Sequence, residues 1–250
     1  MKKISIGVQL YSVRGDVAQD AAGTLAAIKK MGYEGVEFAG LHKHSATEWK
    51  AMFDGNGLCA AGTHIGIDTI YPENLQGTID TYAAIGCTNL VVPGLPPEYT
   101  SSLDGLRRAC SIMNLAAVPL AKAGIALGYH NHAAEFKFLE NHVPYELMLK
   151  CFTTDVFLQL DFGNFREANI DGIKVAHRFP KRLRTVHLKA YKADCKTAVI
   201  GEDDIQWTSV FDACESAGTL QWYIVEHEVY ANPPMVCVKQ CRDNLRKLGR

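Results

Sequence analysis

The sequence has no pair of cysteines at the two-residue spacing of a zinc knuckle or a redox motif, although eight cysteines are spread over its 250 residues. Cys59, Cys87, Cys110, Cys151, Cys195, Cys214, Cys237 and Cys241 are scattered, which in a chain this long reads as reduced thiols in a reducing compartment. Cys237 and Cys241, one helical turn apart, read as small buried residues on one face. No uncharged apolar run approaches the about 20 residues that span a bilayer, so no membrane segment is expected. The start, Met1-Lys2-Lys3, is basic, but the apolar stretch after it is short and Gln9 interrupts it. Without an Ala-x-Ala-like cleavage site it reads as a strand and not a signal peptide. The expected location is the cytoplasm, or the periplasm if a leader preceded the chain as given. Charge of one sign is also missing: 26 Lys and Arg stand against 27 Asp and Glu. No global field favours nucleic acid or an anionic membrane. No GxGxxG follows the first apolar run, which weakens a dinucleotide-binding reading, and there is no linker, low-complexity tract or long charge run.

What is present is an alternation. Eight short apolar runs recur: Ile4–Leu10, Gly35–Ala39, Cys59–Ile65, Asn89–Pro93, Ile125–His130, Phe157–Asp161, Leu183–Leu188 and Trp222–Glu226. Between them lie stretches of helical periodicity: Ala21–Met31, Thr47–Asn56, Glu73–Ile85, Leu103–Ala123, Tyr145–Phe152, Ile170–Phe179, Trp207–Ala217 and Met235–Leu248. Gly32, Gly57, Gly86, Gly124 and Gly218 follow helical stretches, as expected of the residue that accepts the left-handed conformation ending a helix. Strict alternation implies parallel strands with right-handed crossovers. Eight units in 250 residues fit an α/β fold of the (β/α)8 TIM barrel type, one domain over residues 1–250.

In such a barrel the chemistry sits at the C-terminal ends of the strands. Period-two alternation aims Gln9 and Tyr11, Glu37, His64, His130 and His132, Asp161, His187 and Lys189, and Glu226 at one opening, with Glu135 just beyond the fifth strand. Seven of the eight strands thus end in a polar or ionisable residue. Buried unpaired carboxylates cost several kcal/mol each, roughly, so a gathering of this kind needs a neutralising partner. One divalent metal ion fills that need, with Glu135, Asp161, His187 and Glu226 as an oxygen-rich ligand set. Mn²⁺ is the expected ion, with Mg²⁺, Co²⁺ or Zn²⁺ as alternatives. His130 is an alternative ligand to Glu135, and strand geometry alone does not decide between them. His42, His44, His142, His177 and His227 read as loop, helix or outward-facing residues.

At these residues the sequence resembles the xylose isomerase-like TIM-barrel superfamily of sugar phosphate isomerases and epimerases. The matching motifs are GVQLYSVR (7–14), GYEGVEFAG (32–40), GTHIG (62–66), GYHNHAAEF (128–136), LQLDFGN (158–164), VHLKAY (186–191), IGEDDIQW (200–207) and YIVEHE (223–228). The resemblance implies a metal held by Glu135, Asp161, His187 and Glu226. Departures fall at Ala190, where an acid is usual, at Gly201-Glu202-Asp203 in place of Gly-Glu-Gly, and at His227, where a polar amide is common.

The chemistry that fits is proton abstraction beside a carbonyl, with the metal stabilising an enediolate. His132 or Glu135 serves one face, Glu226 the other, and Lys189 polarises oxygen. Gln9, Tyr11, Glu37, His64, His130 and Trp207 are the expected substrate contacts. The expected activity is sugar isomerisation or epimerisation. The alternative is a lyase or dehydratase on keto-sugars, 3-keto-glycosides or keto-inositols by β-elimination. More remote are an endonuclease IV-like metallophosphoesterase and a non-catalytic sugar-binding barrel. The expected partner is a small sugar or keto-sugar, without phosphate because no glycine-rich cradle follows strands seven or eight. No nucleic acid or membrane partner is expected, and nothing speaks against a homo-oligomer.

Overall fold

A computed structural model describes residues 3–216 and 218–250. Met1 and Lys2, ahead of the expected first strand, and Ala217, the last residue of an expected helix, lie outside the described residues. The strands are β1 (Ser5–Gln9), β2 (Gly35–Ala39), β3 (Cys59–His64), β4 (Asn89–Val92), β5 (Ala126–His130), β6 (Val156–Asp161), β7 (Leu183–Lys189) and β8 (Trp222–Glu226). All pair in parallel in chain order, and β8 returns to β1 to close the barrel. Every strand lies where an apolar run predicts it, to within about a residue at each end.

Local chemistry accounts for the helices between them. Asp20 caps Ala21–Met31 by accepting from the Gly23 N–H, and Gly32 ends it at φ 89°. Ser45 and Glu48 form a reciprocal capping box on Ala46–Asn56. Three short helices escape the periodicity argument: Arg14–Gln19, Pro97–Thr100 and Phe162–Glu167. The last begins the residue after β6, and Asp161 itself caps it by accepting from the Asn164 N–H. Two pairs of buried residues, Val8 with Val36 and Leu158 with Leu183, sit opposite each other on adjacent strands. Among the described residues no helix is long and apolar enough to cross a membrane.

Two glycines predict opposite stability changes. Gly128 on β5 pairs with Phe157 on β6, and a Cβ at residue 128 would fall 2.6 Å from the Phe157 ring. Gly128→Ala is expected to destabilise the fold by about 1–3 kcal/mol through overpacking. Gly77, exposed on the helix Pro72–Ile85, has nothing within 4 Å of its added Cβ. Gly77→Ala is expected to stabilise by about 0.5–1 kcal/mol, because a helix interior disfavours glycine. Urea unfolding of both variants checks the pair; shifts of equal sign would contradict this account.

Candidate metal centre

Parallel register brings the polar strand ends to one level. Asp161 is in register with His187, and Lys189 with Glu226. His130, Asp161, His187 and Glu226 each place one donor atom within 4.8 Å of the others, and all four residues are buried. His187 Nδ1 lies 3.3 Å from Glu226 Oε2 and 3.8 Å from Asp161 Oδ2. His130 Nε2 lies 3.9 Å from the same Asp161 oxygen. Asp161 Oδ1 accepts from Asn164 N at 2.7 Å, whereas Oδ2 is buried with no hydrogen-bond partner.

That orphaned oxygen is costly unless a cation meets it. Two imidazole nitrogens and two carboxylate oxygens, with no thiolate, form a donor set that suits a divalent ion. The residues present therefore fit a metal. A second group, His64 with His130 and His187, shares two of these histidines. The two groups therefore overlap at one place, the C-terminal ends of the strands.

The electrostatics are those of a charged, closed cup. Burial pushes the Asp161 carboxyl up to about 7, with Lys189 and His187 pulling against it. Burial would also raise Glu226, but His187 and Lys189 outweigh it and hold that carboxyl down to about 2. Burial would lower His187; the carboxylates of Glu37 and Glu226 overcome this and raise it to about 10. Burial, reinforced by His187 and His64, keeps His130 well below the ordinary histidine value. Lys189 is ion-paired to Glu228, and its Nζ lies 3.6 Å from Glu226 Oε2.

Above the four donors lies a cavity of about 480 Å³ lined by Tyr11, His64, His130, His132, Glu226 and Glu228, among others, with no lysine or arginine in the lining. The Arg14 guanidinium stacks 4.3 Å over the Tyr11 ring and braces it at the mouth. His132, whose ring packs edge-on against His130 at 4.8 Å, also borders two adjoining cavities. Burial lowers His132 from the ordinary histidine value, which leaves it a neutral proton acceptor near pH 7.

Several expected residues lie elsewhere. The structure does not bring Glu135 to the four donors. The turn Ala133–Phe136 carries it to the Tyr129 side of β5, where Oε1 accepts from Tyr129 Oη at 2.8 Å and Oε2 from the His132 N–H at 2.8 Å. His130 stands with the metal group in its place. Gln9 and Glu37 are fully buried beneath the cup instead of facing a ligand. Glu37 accepts from Gln9 Nε2 at 2.8 Å, Gln159 Nε2 at 2.7 Å and His187 Nε2 at 2.6 Å, with His64 Nε2 at 3.1 Å. Burial would raise Glu37, but His64 and His187 hold it well below the carboxylate range. Trp207 is buried outside the cavity and donates from Nε1 to Asp203 Oδ2 at 3.0 Å. His227, expected to face outward, is buried, with its backbone N–H donating to Ser12 Oγ. Sequence reasoning missed Gln159, Thr185 and Glu228. Each lies two residues along its strand or strand end from a chosen residue, so the same alternation would have found them.

The sequence model of the xylose isomerase-like TIM barrel family matches residues 25–248. The chain belongs to that family. It resembles the solved sugar phosphate isomerase/epimerase of Parabacteroides distasonis ATCC 8503 at 26% identity and a TM-score of 0.84, covering 98% of both chains. It also shares its fold with the 3-keto-D-glucoside 4-epimerase of E. coli at 18% identity, TM-score 0.68 and 99% of each chain. The probable 3-DHS dehydratase of Bacillus anthracis is similar at 12% identity and TM-score 0.71, over 97% of this chain and 99% of that one. No curated protein matches the chain.

Proposed function

We propose that this family member is a divalent-metal-dependent sugar isomerase or epimerase that moves a proton on the carbon beside a carbonyl. The buried, unpartnered Oδ2 of Asp161 among His130, His187 and Glu226 carries this reading. The likeness to the Parabacteroides isomerase/epimerase supports the reaction class. A bound divalent ion supplies a Lewis acid that polarises the carbonyl and an adjacent hydroxyl oxygen. His132, neutral and open to the cup, takes the proton on one face of the sugar. Glu226, held ionised, lies across the cup, and Lys189 beside it offers an N–H to a substrate oxygen. Glu135 serves indirectly: by accepting from the His132 N–H it fixes the backbone that carries the imidazole. The cavity lining itself holds no lysine or arginine, and Lys189 at its edge is already ion-paired to Glu228, which favours a sugar or keto-sugar without phosphate.

A lyase reading draws on a separate observation, the meeting of three cavities at His132. A substituent expelled from the carbon next to the deprotonated one has both an acid and space there. A panel of ketohexoses, pentoses and 3-keto-glucosides, incubated with Mn²⁺ in deuterium oxide, tests both readings. Deuterium beside the carbonyl in an isomerised or epimerised product supports the first; release of the substituent supports the second. Neither event across the panel, in protein shown to hold one ion per chain, would overturn the proposal.

A further inference from the structure

The buried floor under the cup contains an amide whose orientation can be deduced. Gln159 is opposite His130 in the β5–β6 register and is fully buried. One end of its side chain lies 2.7 Å from Glu37 Oε1 and 2.8 Å from Thr185 Oγ1. An ionised carboxylate only accepts hydrogen bonds, so the end facing Glu37 is the NH2. The other end is then the carbonyl oxygen, and it meets His130 Nδ1 at 3.0 Å and His64 Nε2 at 2.8 Å. A carbonyl only accepts, so both imidazole nitrogens carry hydrogen.

For His130, Nδ1 holds the hydrogen, and Nε2, which the donating Asn164 amide nitrogen faces at 3.5 Å, keeps its lone pair, with Asp161 Oδ2 3.9 Å away. The same logic runs through Glu37. Its Oε2 accepts from His187 Nε2 at 2.6 Å, leaving Nδ1 of His187 as the nitrogen that faces Glu226 and Asp161. The two histidines thus present opposite ring nitrogens to one point, and Gln159 contacts both His130 and the carboxylate that orients His187.

Building on the metal reading above, we infer that Gln159 is a positioning residue for the metal centre, setting the tautomer of His130 directly and, through Glu37, helping to keep hydrogen on Nε2 of His187 so that its Nδ1 is the nitrogen offered to the ion. A residue behind a ligating histidine commonly changes metal affinity roughly 10- to 100-fold when removed. Gln159 stands on β6, the strand between the two histidines, and the two ends of its side chain reach His130 on β5 and Glu37 on β2.

Histidine-labelled wild-type protein tests this without a variant, by long-range ¹H–¹⁵N spectra taken metal-free and with one equivalent of Zn²⁺. The expected spectrum shows hydrogen on Nδ1 of His130 in both states, Zn²⁺ on its Nε2, and Zn²⁺ on Nδ1 of His187. Gln159→Met, which keeps length and removes the amide, is expected to lower Zn²⁺ affinity roughly 10- to 100-fold and to erase the His130 Nδ1–H signal. Hydrogen on Nε2 of His130, or unchanged Zn²⁺ affinity in a folded Gln159→Met, overturns the inference and leaves the metal reading intact. Failure of the wild type to take up Zn²⁺ overturns the metal reading and this inference with it. Should Gln159→Met not fold, the wild-type spectra alone decide.

Discussion

Asp161→Asn is expected to abolish tight binding of a divalent ion and to lower kcat/KM by about a thousandfold or more. The size follows from what that oxygen does. Oδ1 is occupied by the Asn164 N–H, so Oδ2 is the only part of the carboxylate left for a cation. An amide presents at best a neutral oxygen there, and a polarising ion contributes several kcal/mol to a charge-developing step, each 1.4 kcal/mol being about tenfold in rate. Asn164 keeps its place through a second bond, Nδ2 to the Asn131 carbonyl at 2.9 Å, so the fold is expected to survive. Isothermal titration with Mn²⁺ and with Zn²⁺ checks the binding, and the reaction panel checks the rate. Wild-type affinity in a folded Asp161→Asn protein would remove the centre from this address.

The same site predicts a pH dependence of binding in the wild type. Without an ion His187 holds its proton up to about pH 10, and Asp161 up to about 7. Binding displaces those protons, so affinity must climb with pH. Between pH 7 and 9 one proton, on His187, is displaced, for about a tenfold gain per pH unit; below 7 the slope steepens as Asp161 joins. Titration at three pH values reads the slope directly, and affinity independent of pH would contradict the assignment of His187 as a ligand.

Fold and site were legible to different depths. Period-two alternation carries strand position and the inward face, which is why Asp161, His187 and Glu226 were found and do converge. It cannot carry depth along the barrel axis: Glu37 points inward as expected, yet lies under the histidines instead of above them. It also stops where the strand stops. Glu135 follows a strand end, and the turn Ala133–Phe136 rotates it to the opposite side, whereas His130, the last residue of β5, keeps its inward direction. Trp207 shows a third limit. Its motif is adjacent to the site in sequence, but Asp203 holds the indole in the interior of the helical layer. Helix Phe162–Glu167 was invisible because its apolar residues continue the run of β6 without a break.

The second large effect belongs to that buried floor. Glu37→Ala is expected to destabilise the metal-free protein by about 3–5 kcal/mol, the cost of leaving a buried charge without its partner. His187, protonated in that state, would lose its shortest carboxylate contact and keep Glu226 at 3.3 Å and Asp161 at 3.8 Å, both on Nδ1, while Nε2 is left without an acceptor. Gln9 and Gln159 would each lose an acceptor. At this chain length that corresponds to a drop in Tm on the order of 6–20 °C. Glu37→Gln keeps the shape and is expected to cost less stability, with metal affinity still falling roughly 10- to 100-fold because an amide no longer fixes Nε2–H of His187 against a charge. The sign with pH follows from the depressed carboxyl. Its contribution is fully present above the ordinary glutamate value and is lost as pH falls toward the folded-state value, so the gap between wild type and Glu37→Gln narrows in acid. Thermal unfolding at pH 7 and pH 3 measures that gap; a gap that widens in acid would mean that Glu37 is not the charge holding His187.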